Sequence, residues 1–160
     1  MDTTTFNMAG KPRLGISQCL LGDAVRYDGG HKRDPFITDV LSPFVEWVSV
    51  CPEVEAGFGT PREAMHLVGD PDAPKLLTIR THIDHTRQLK MFSRTRIGQL
   101  HQEDLDGYIF KKGSPSCGLY RVRVYTKKGQ PSKKGMGIFS ERFQKTFPHL
   151  PVEEEGRLND

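Results

Sequence analysis

Three cysteines, each placed just past a run of strand-forming residues, constrain this chain more than any other feature of its sequence. Residues 13–18 (RLGISQ), 45–50 (VEWVSV) and 106–110 (DGYIF) are short runs centred on β-branched, aromatic or other apolar side chains, the pattern of buried strands. Cys19 and Cys51 follow the first two directly, and Cys117 follows the third through KKGSPS. Segments of helical period lie between and after them. Residues 35–43 carry Phe36, Ile37, Val40 and Leu41 at helical spacing, with Asp34 as a cap and Pro35 at the first position. Residues 84–104 place Leu89, Phe92, Ile97 and Leu100 near one face, and 135–147 form a last helix cut off by Pro148. Further strands are expected at 75–80 (KLLTIR), at 121–125 and, briefly, at 151–153. Strands alternating with helices predict an α/β domain built on a mainly parallel sheet. In such a sheet the loops leaving the carboxyl ends of the strands line one crevice. Cysteines 32 and 66 residues apart in sequence are therefore expected to converge.

An odd count of cysteines argues against a closed disulfide framework. A single free cysteine is most often a small buried core residue. Here all three sit in loops beside Gly, Pro or Ser, which suits close approach of backbone to a ligand. Zinc would want a fourth ligand and commonly a closely spaced pair. The chain has no CxxC, although His31, His66, His82, His85, His101 or His149 could complete a set. A 4Fe–4S cluster held by three thiolates would leave one iron open to a ligand, whereas most electron-transfer clusters have four protein ligands. The residues alone leave three readings: an iron–sulfur catalyst, a non-catalytic or redox iron–sulfur protein, and a zinc-dependent RNA-binding module. Two polar residues favour catalysis. Glu53, two beyond Cys51, is a candidate general acid or base, and Ser114, three before Cys117, offers a hydroxyl to a bound base.

Length and charge narrow the partners. At 160 residues the chain is one ordinary domain, able to fold without disulfides. No apolar run is long enough to span a bilayer and residues 1–11 lack the apolar centre of a signal peptide, so a cytoplasmic protein is expected. Residues 1–11 read as frayed, 12–150 as the domain, and the acidic 151–160 as a linker toward a further domain. The net charge of +3 is uneven: residues 111–145 hold ten basic residues against Glu141 alone, so that segment carries +9 and the rest −6. Such a segment is either a solvated face or a surface for a phosphate-bearing polyanion.

The blocks SQCLLGDAVRYDG (17–29), CPEVEAGFGTPRE (51–63) and KKGSPSCG (111–118), followed by GMGIFSERF (135–143), resemble the signature blocks of the thiouracil desulfidase (TudS) family. The resemblance runs over nearly the whole of residues 11–147. It implies a Rossmann-like domain in which Cys19, Cys51 and Cys117 hold a 4Fe–4S cluster with one open iron. It also implies that Glu53 serves as acid/base, that Ser114 handles substrate or a proton, and that sulfur leaves a thiolated uracil as hydrosulfide without net redox change. Ser17, Arg26, Tyr27, Asp28, Arg62, Lys111 and Ser116 lie within these blocks and are the substrate-binding candidates, with Arg26, Arg62 and Lys111 directed at phosphate or base oxygens. The ending EEGRLND is similar to the junction in longer members that carry a second helical domain and are linked to 4-thiouridine, as a nucleotide or in tRNA. The expected partner is a thiolated nucleobase or nucleotide, with tRNA a further candidate and neither DNA nor a membrane expected.

Overall fold

The computed structural model describes residues 10–159. Its strands are β1 (Arg13–Ser17), β2 (Glu46–Val50), β3 (Met65–Val68), β4 (Lys75–Thr78), β5 (Gly107–Phe110), β6 (Val122–Tyr125), β7 (Pro131–Gly135) and β8 (Val152–Glu154). Its α-helices are α1 (Pro52–Glu55), α2 (Thr86–Leu100), α3 (Ile138–Thr146) and α4 (Glu155–Leu158). One sheet, in the order β2-β1-β5-β8, is wholly parallel; a second, β4-β3-β6-β7, is mixed.

The parallel sheet is covered on both faces, as an all-parallel sheet requires. On one face Tyr108 and Phe110 stack, with ring centroids 4.1 Å apart, against Phe139 and Phe143 of α3 and Ile97 and Leu100 of α2. On the other, Ile16 and Ile109 pack on Leu20 and Ile37 from the helical turns after β1. The period-2 alternation of strand side chains thus divides β5 between two cores. The second sheet forms a third core from Leu67, Leu76, Val122 and Val124, closed by Leu89 of α2 and Ile138 of α3.

The expectation of an α/β domain with a parallel sheet holds, with corrections in detail. Residues 35–43 form a π-turn (Phe36–Leu41) and then a 3-10 turn (Ser42–Phe44) in place of an α-helix. Pro43 has no N–H to continue an α-helical ladder, and the Ser42 hydroxyl instead donates to Ile37 O and accepts from Trp47 Nε1. Of residues 75–80, only Lys75–Thr78 form a strand, and it belongs to the second sheet, with β4 antiparallel to β3. Neither β3 nor β7 was expected; β7 (PSKKG) has no apolar pattern and is held by its ladder to β6. α3 starts at Ile138 because Gly135 still pairs with Val122 and Gly137 is extended. Residues 152–158 form β8 and α4, with β8 paired along β5, so they pack as part of the domain and not as a linker. The expected frayed start falls almost wholly on residues 1–9, which lie outside the described residues.

Gly15 of β1 sits opposite Tyr108 of β5, and a Cβ there would collide with the Tyr108 ring. Gly15→Ala should therefore destabilise by about 1–3 kcal/mol, the usual cost of overpacking. The buried Tyr108 hydroxyl has no hydrogen-bond partner among the described residues. Tyr108→Phe should leave stability unchanged or raise it by up to about 1 kcal/mol, because it removes an unsatisfied polar atom. Urea denaturation of the two variants checks both.

Candidate active site

The strand order reverses between β1 and β5: from β1 the chain steps to β2 on one side, and β5 and β8 lie on the other. Crevices outside the carboxyl ends of strands at such a switch point are the usual ligand sites of parallel sheets. A cavity of about 360 Å³ lies there, lined by Cys19, Cys51 and Cys117 together with Ser17, Arg26, Tyr27, Glu53, Arg62, Lys111, Ser114 and Ser116. The three cysteines do converge.

Local hydrogen bonds hold each cysteine loop. Cys19 lies in a 3-10 turn (Gln18–Leu21), and its carbonyl accepts from Gly22 N and Lys32 N. Cys51 caps α1, its N–H donating to Glu55 Oε2 at 2.8 Å, while Arg96 Nε of α2 holds Glu55 Oε1 at 3.0 Å. Ser114 Oγ accepts from the N–H groups of Ser116 and Cys117 at 3.2 and 3.0 Å, closing a tight turn. The turn packs directly on Gly137, where a Cβ would lie 2.7 Å from Cys117 N. The C-terminal segment braces both ends of this loop. Glu155 accepts from Lys112 N and pairs with Lys111 Nζ at 2.9 Å, and the buried Glu154 accepts from Leu119 N and Tyr120 N.

A polar chain runs along the cavity wall. Glu53 Oε1 is paired with Arg62 Nε at 3.0 Å, both side chains largely buried. Glu53 Oε2 accepts from Ser116 Oγ at 2.9 Å, and Ser116 Oγ lies 3.0 Å from Ser114 Oγ. With the Ser116 proton directed at Glu53, the Ser114 hydroxyl donates to Ser116. A carboxylate has about four acceptor sites, so Glu53 can accept a further proton donor from the cavity.

The cysteines are free thiols. Burial pushes all three thiol pKa values up, Cys117 most; Arg26 and Lys111 oppose the shift at Cys19, and Arg62 opposes it at Cys51. None of the six histidines lines the cavity, and among the described residues no three His, Cys, Asp or Glu side chains close around a single ion. Three thiols lining one cavity that no histidine enters, and that do not close around a single ion, suit a multi-iron cluster, in which each thiolate takes a different iron, better than one zinc ion.

A sequence model of the 2-thiouracil desulfurase family matches residues 14–155. The chain belongs to that family. It is 28% identical over 108 residues to the uncharacterized protein YbbK of Bacillus subtilis strain 168, covering 64% of this chain and 71% of that one. It is also similar to a solved structure described as the 4Fe–4S-dependent thiouracil desulfidase TudS, with a TM-score of 0.72 at 26% identity, covering 93% of this chain and 94% of that one.

This desulfurase-family chain distributes the other candidate residues unevenly. Tyr27 is exposed at the cavity and carries the Arg26 guanidinium over its ring at 5.7 Å. Ser17 is buried and accepts from Lys111 N. Lys111 is engaged by Glu155, and Arg62 by Glu53 through Nε and by two carbonyls through Nη1. Asp28 is exposed, is not among the cavity's lining residues, and caps its own turn by accepting from Gly30 N. Sequence reasoning missed the apolar wall of Ala64, Met65 and Ile79, because nothing in a single sequence ties the second sheet to this crevice. It also missed the bracing by Glu154 and Glu155.

Part of the basic segment gathers around a second cavity of about 600 Å³, which shares Lys112 and Gly113 with the first and adds Arg121, Arg123, Lys133 and Arg157. Arg142 and Lys145 line a different cavity.

Thiolate, not thiol, is alkylated. In metal-free protein Cys51, the most exposed of the three, should react with iodoacetamide first and the deeply buried Cys117 last. Because all three pKa values are raised, the labelling rates should still be climbing at about pH 10, where a thiol with an ordinary pKa of about 8.5 has levelled off. Peptide mass spectrometry over a pH series reads both.

Proposed function

We propose that this chain hydrolyses the C–S bond of a thiolated uracil, with a 4Fe–4S cluster held by Cys19, Cys51 and Cys117. The observation that carries the reading is the meeting of three free thiols with a Glu–Ser–Ser chain in one cavity at the carboxyl edge of the sheet. Membership of the 2-thiouracil desulfurase family and likeness to a 4Fe–4S-dependent desulfidase support it. When bound, such a cluster supplies a soft Lewis acid for the thiocarbonyl sulfur through the one iron that three thiolates leave without a protein ligand.

The chain's own residues bind, orient and move protons. The pyrimidine packs against Met65 and Ile79 and meets the Glu53–Ser116 chain and Tyr27, all of which line the same cavity. Glu53 takes a proton from the water that attacks the C–S carbon, a contribution worth about a hundred- to ten-thousand-fold in rate. Ser114, linked to Glu53 through Ser116, relays the proton. Oxygen from water replaces sulfur on the carbon, the two water protons balance the departing sulfide, and no electrons change hands.

The test is anaerobic. Iron and sulfide are assayed per chain, and conversion of 2-thiouracil, 4-thiouracil and 4-thiouridine monophosphate is followed by loss of the thiocarbonyl ultraviolet band. The intact chain should carry iron and convert at least one of the three. Each single Cys→Ala change should remove the iron. Glu53→Ala should keep the iron and lose about a hundred-fold or more in turnover. A colourless chain holding zinc, or a loaded chain inert on all three substrates and on tRNA carrying 4-thiouridine, would overturn the reading.

We further propose that the substrate is phosphate-bearing, a thiolated nucleotide or tRNA, and that the second cavity holds its phosphates. Lys112, Arg121, Arg123, Lys133 and Arg157 surround that cavity, while the single acid among its lining residues, Glu154, is occupied by backbone N–H groups. Affinity for thiolated single-stranded RNA should then fall with salt at a log–log slope of about −0.7 per phosphate contact. Replacing Arg121, Arg123 and Lys133 by Ala should weaken that binding and flatten the slope while sparing turnover of free 4-thiouracil. Salt-independent binding by the unchanged protein would eliminate the phosphate reading.

A further inference from the structure

We infer that Arg62 is a positioning residue for the reaction: with the Ser116 hydroxyl it fixes the Glu53 carboxylate from two sides, and it makes no contact with substrate. The inference rests on the proton-handling role proposed for Glu53.

The Nε and Nη1 groups of Arg62 and its backbone N–H are directed at the protein, while Nη2 has no hydrogen-bond partner among the described residues. Nε is 3.0 Å from Glu53 Oε1, Nη1 donates to Val25 O and Gly59 O at 2.9 Å each, and the backbone N–H donates to Tyr27 O at 2.7 Å. Val25 and Tyr27 belong to the loop after Cys19, and Gly59 to the loop after Cys51. One guanidinium therefore ties two cysteine loops together and to the carboxylate between them. Its side chain is 8% exposed, which leaves little of it for a ligand to reach. The carboxylate's other oxygen is held by Ser116, next to Cys117 in the third loop, at 2.9 Å.

Glu53 stands on a helix of only four residues, and its long side chain would otherwise sample several rotamers. A planar fork can hold a carboxylate and two carbonyls at fixed angles; a lysine ammonium supplies the same charge at one point and cannot. A displacement of about 1 Å in a reacting group can cost about a hundred-fold in rate. Removing the fork should therefore be felt in the chemical step and not in substrate affinity.

The experiment uses anaerobically purified holoprotein and the variants Arg62→Gln, Arg62→Lys, Glu53→Gln and the double Arg62→Gln/Glu53→Gln. It measures iron and sulfide per chain, kcat and KM for 4-thiouracil, and the Kd of uracil by calorimetry. Both single Arg62 variants should keep their iron, bind uracil within about two-fold of the unchanged protein, and lose about ten-fold or more in kcat with KM little changed. In the Glu53→Gln background the further loss of Arg62 should cost less than about two-fold, because residues acting as a unit are not additive.

A ten-fold weaker uracil Kd with kcat intact would make Arg62 a substrate contact and overturn the inference. Full kcat in Arg62→Lys would reduce its role to charge and also overturn it, as would full additivity in the double variant. Loss of iron from both Arg62 variants would show that the residue builds the cysteine loops and does not aim the carboxylate. Normal turnover in Glu53→Gln would instead refute the proton-handling role of Glu53, a result separate from all of these. If Glu53→Gln has no measurable turnover, the kcat and Kd of the two single Arg62 variants decide.

Discussion

β1 is paired along its length with β2 on one side and with β5 on the other, so that Gly15 faces Val48 and Tyr108 at once. All three strands run the same way, and neighbouring strands lie only about 4.8 Å apart. Their carboxyl ends therefore finish side by side, and the three cysteine loops leave from one edge of the sheet. The absence of a side chain at Gly15 is what lets the Tyr108 ring lie across β1. A register slip of one residue would turn Ile16 and Ile109 toward the aromatic core and dismantle both faces. The site is in this sense a by-product of register: the packing that fixes the sheet also fixes where its thiols emerge.

That edge gathers charged groups that resist burial. Beside the three thiols, the largely buried Glu53 carboxylate and Arg62 guanidinium line one small cavity. Charges removed from water must be paired and hydrogen-bonded, and the chain meets this by tying its polar groups to backbone, within their own turn or in another segment. Arg62 reaches Val25 and Gly59, Ser114 takes the N–H groups of Ser116 and Cys117, and Glu154 takes those of Leu119 and Tyr120. The ties are individually modest, but those of Arg62 to Val25 and of Glu154 to Leu119 and Tyr120 join pieces more than thirty residues apart, which is how loops become rigid enough to present side chains at fixed positions.

The parts legible in the sequence were those governed by local chemistry. The apolar and β-branched runs at 13–18 and 45–50 announced β1 and β2, and the apolar periodicity of Leu89, Ile97 and Leu100 announced α2. The convergence of Cys19, Cys51 and Cys117 followed from parallel topology alone. The illegible parts depend on non-local pairing. β7 has a polar, lysine-rich sequence and is a strand only because β6 offers it a ladder. The engagement of Arg62 with Glu53 and of Lys111 with Glu155 could not be read from sequence, since an isolated basic residue near a site looks the same whether it faces ligand or protein. Asp28 looked like a site residue by its neighbours and is a turn residue by its hydrogen bond.

The bracing of the Cys117 loop by Glu154 and Glu155 has a consequence for the order in which the molecule is made. A ribosome delivers the chain from its amino end, so β8 and α4 emerge after the other described elements. Cys19 and Cys51 reach their strand ends while the third cysteine's loop still lacks the acceptors for Leu119 N, Tyr120 N and Lys112 N. The loop acquires its final shape only when residues 152–158 add themselves to the free edge of β5. Maturation of the three-thiol site is thereby tied to completion of the domain: a nascent chain stalled short of Glu154 would display its thiols without the geometry to use them.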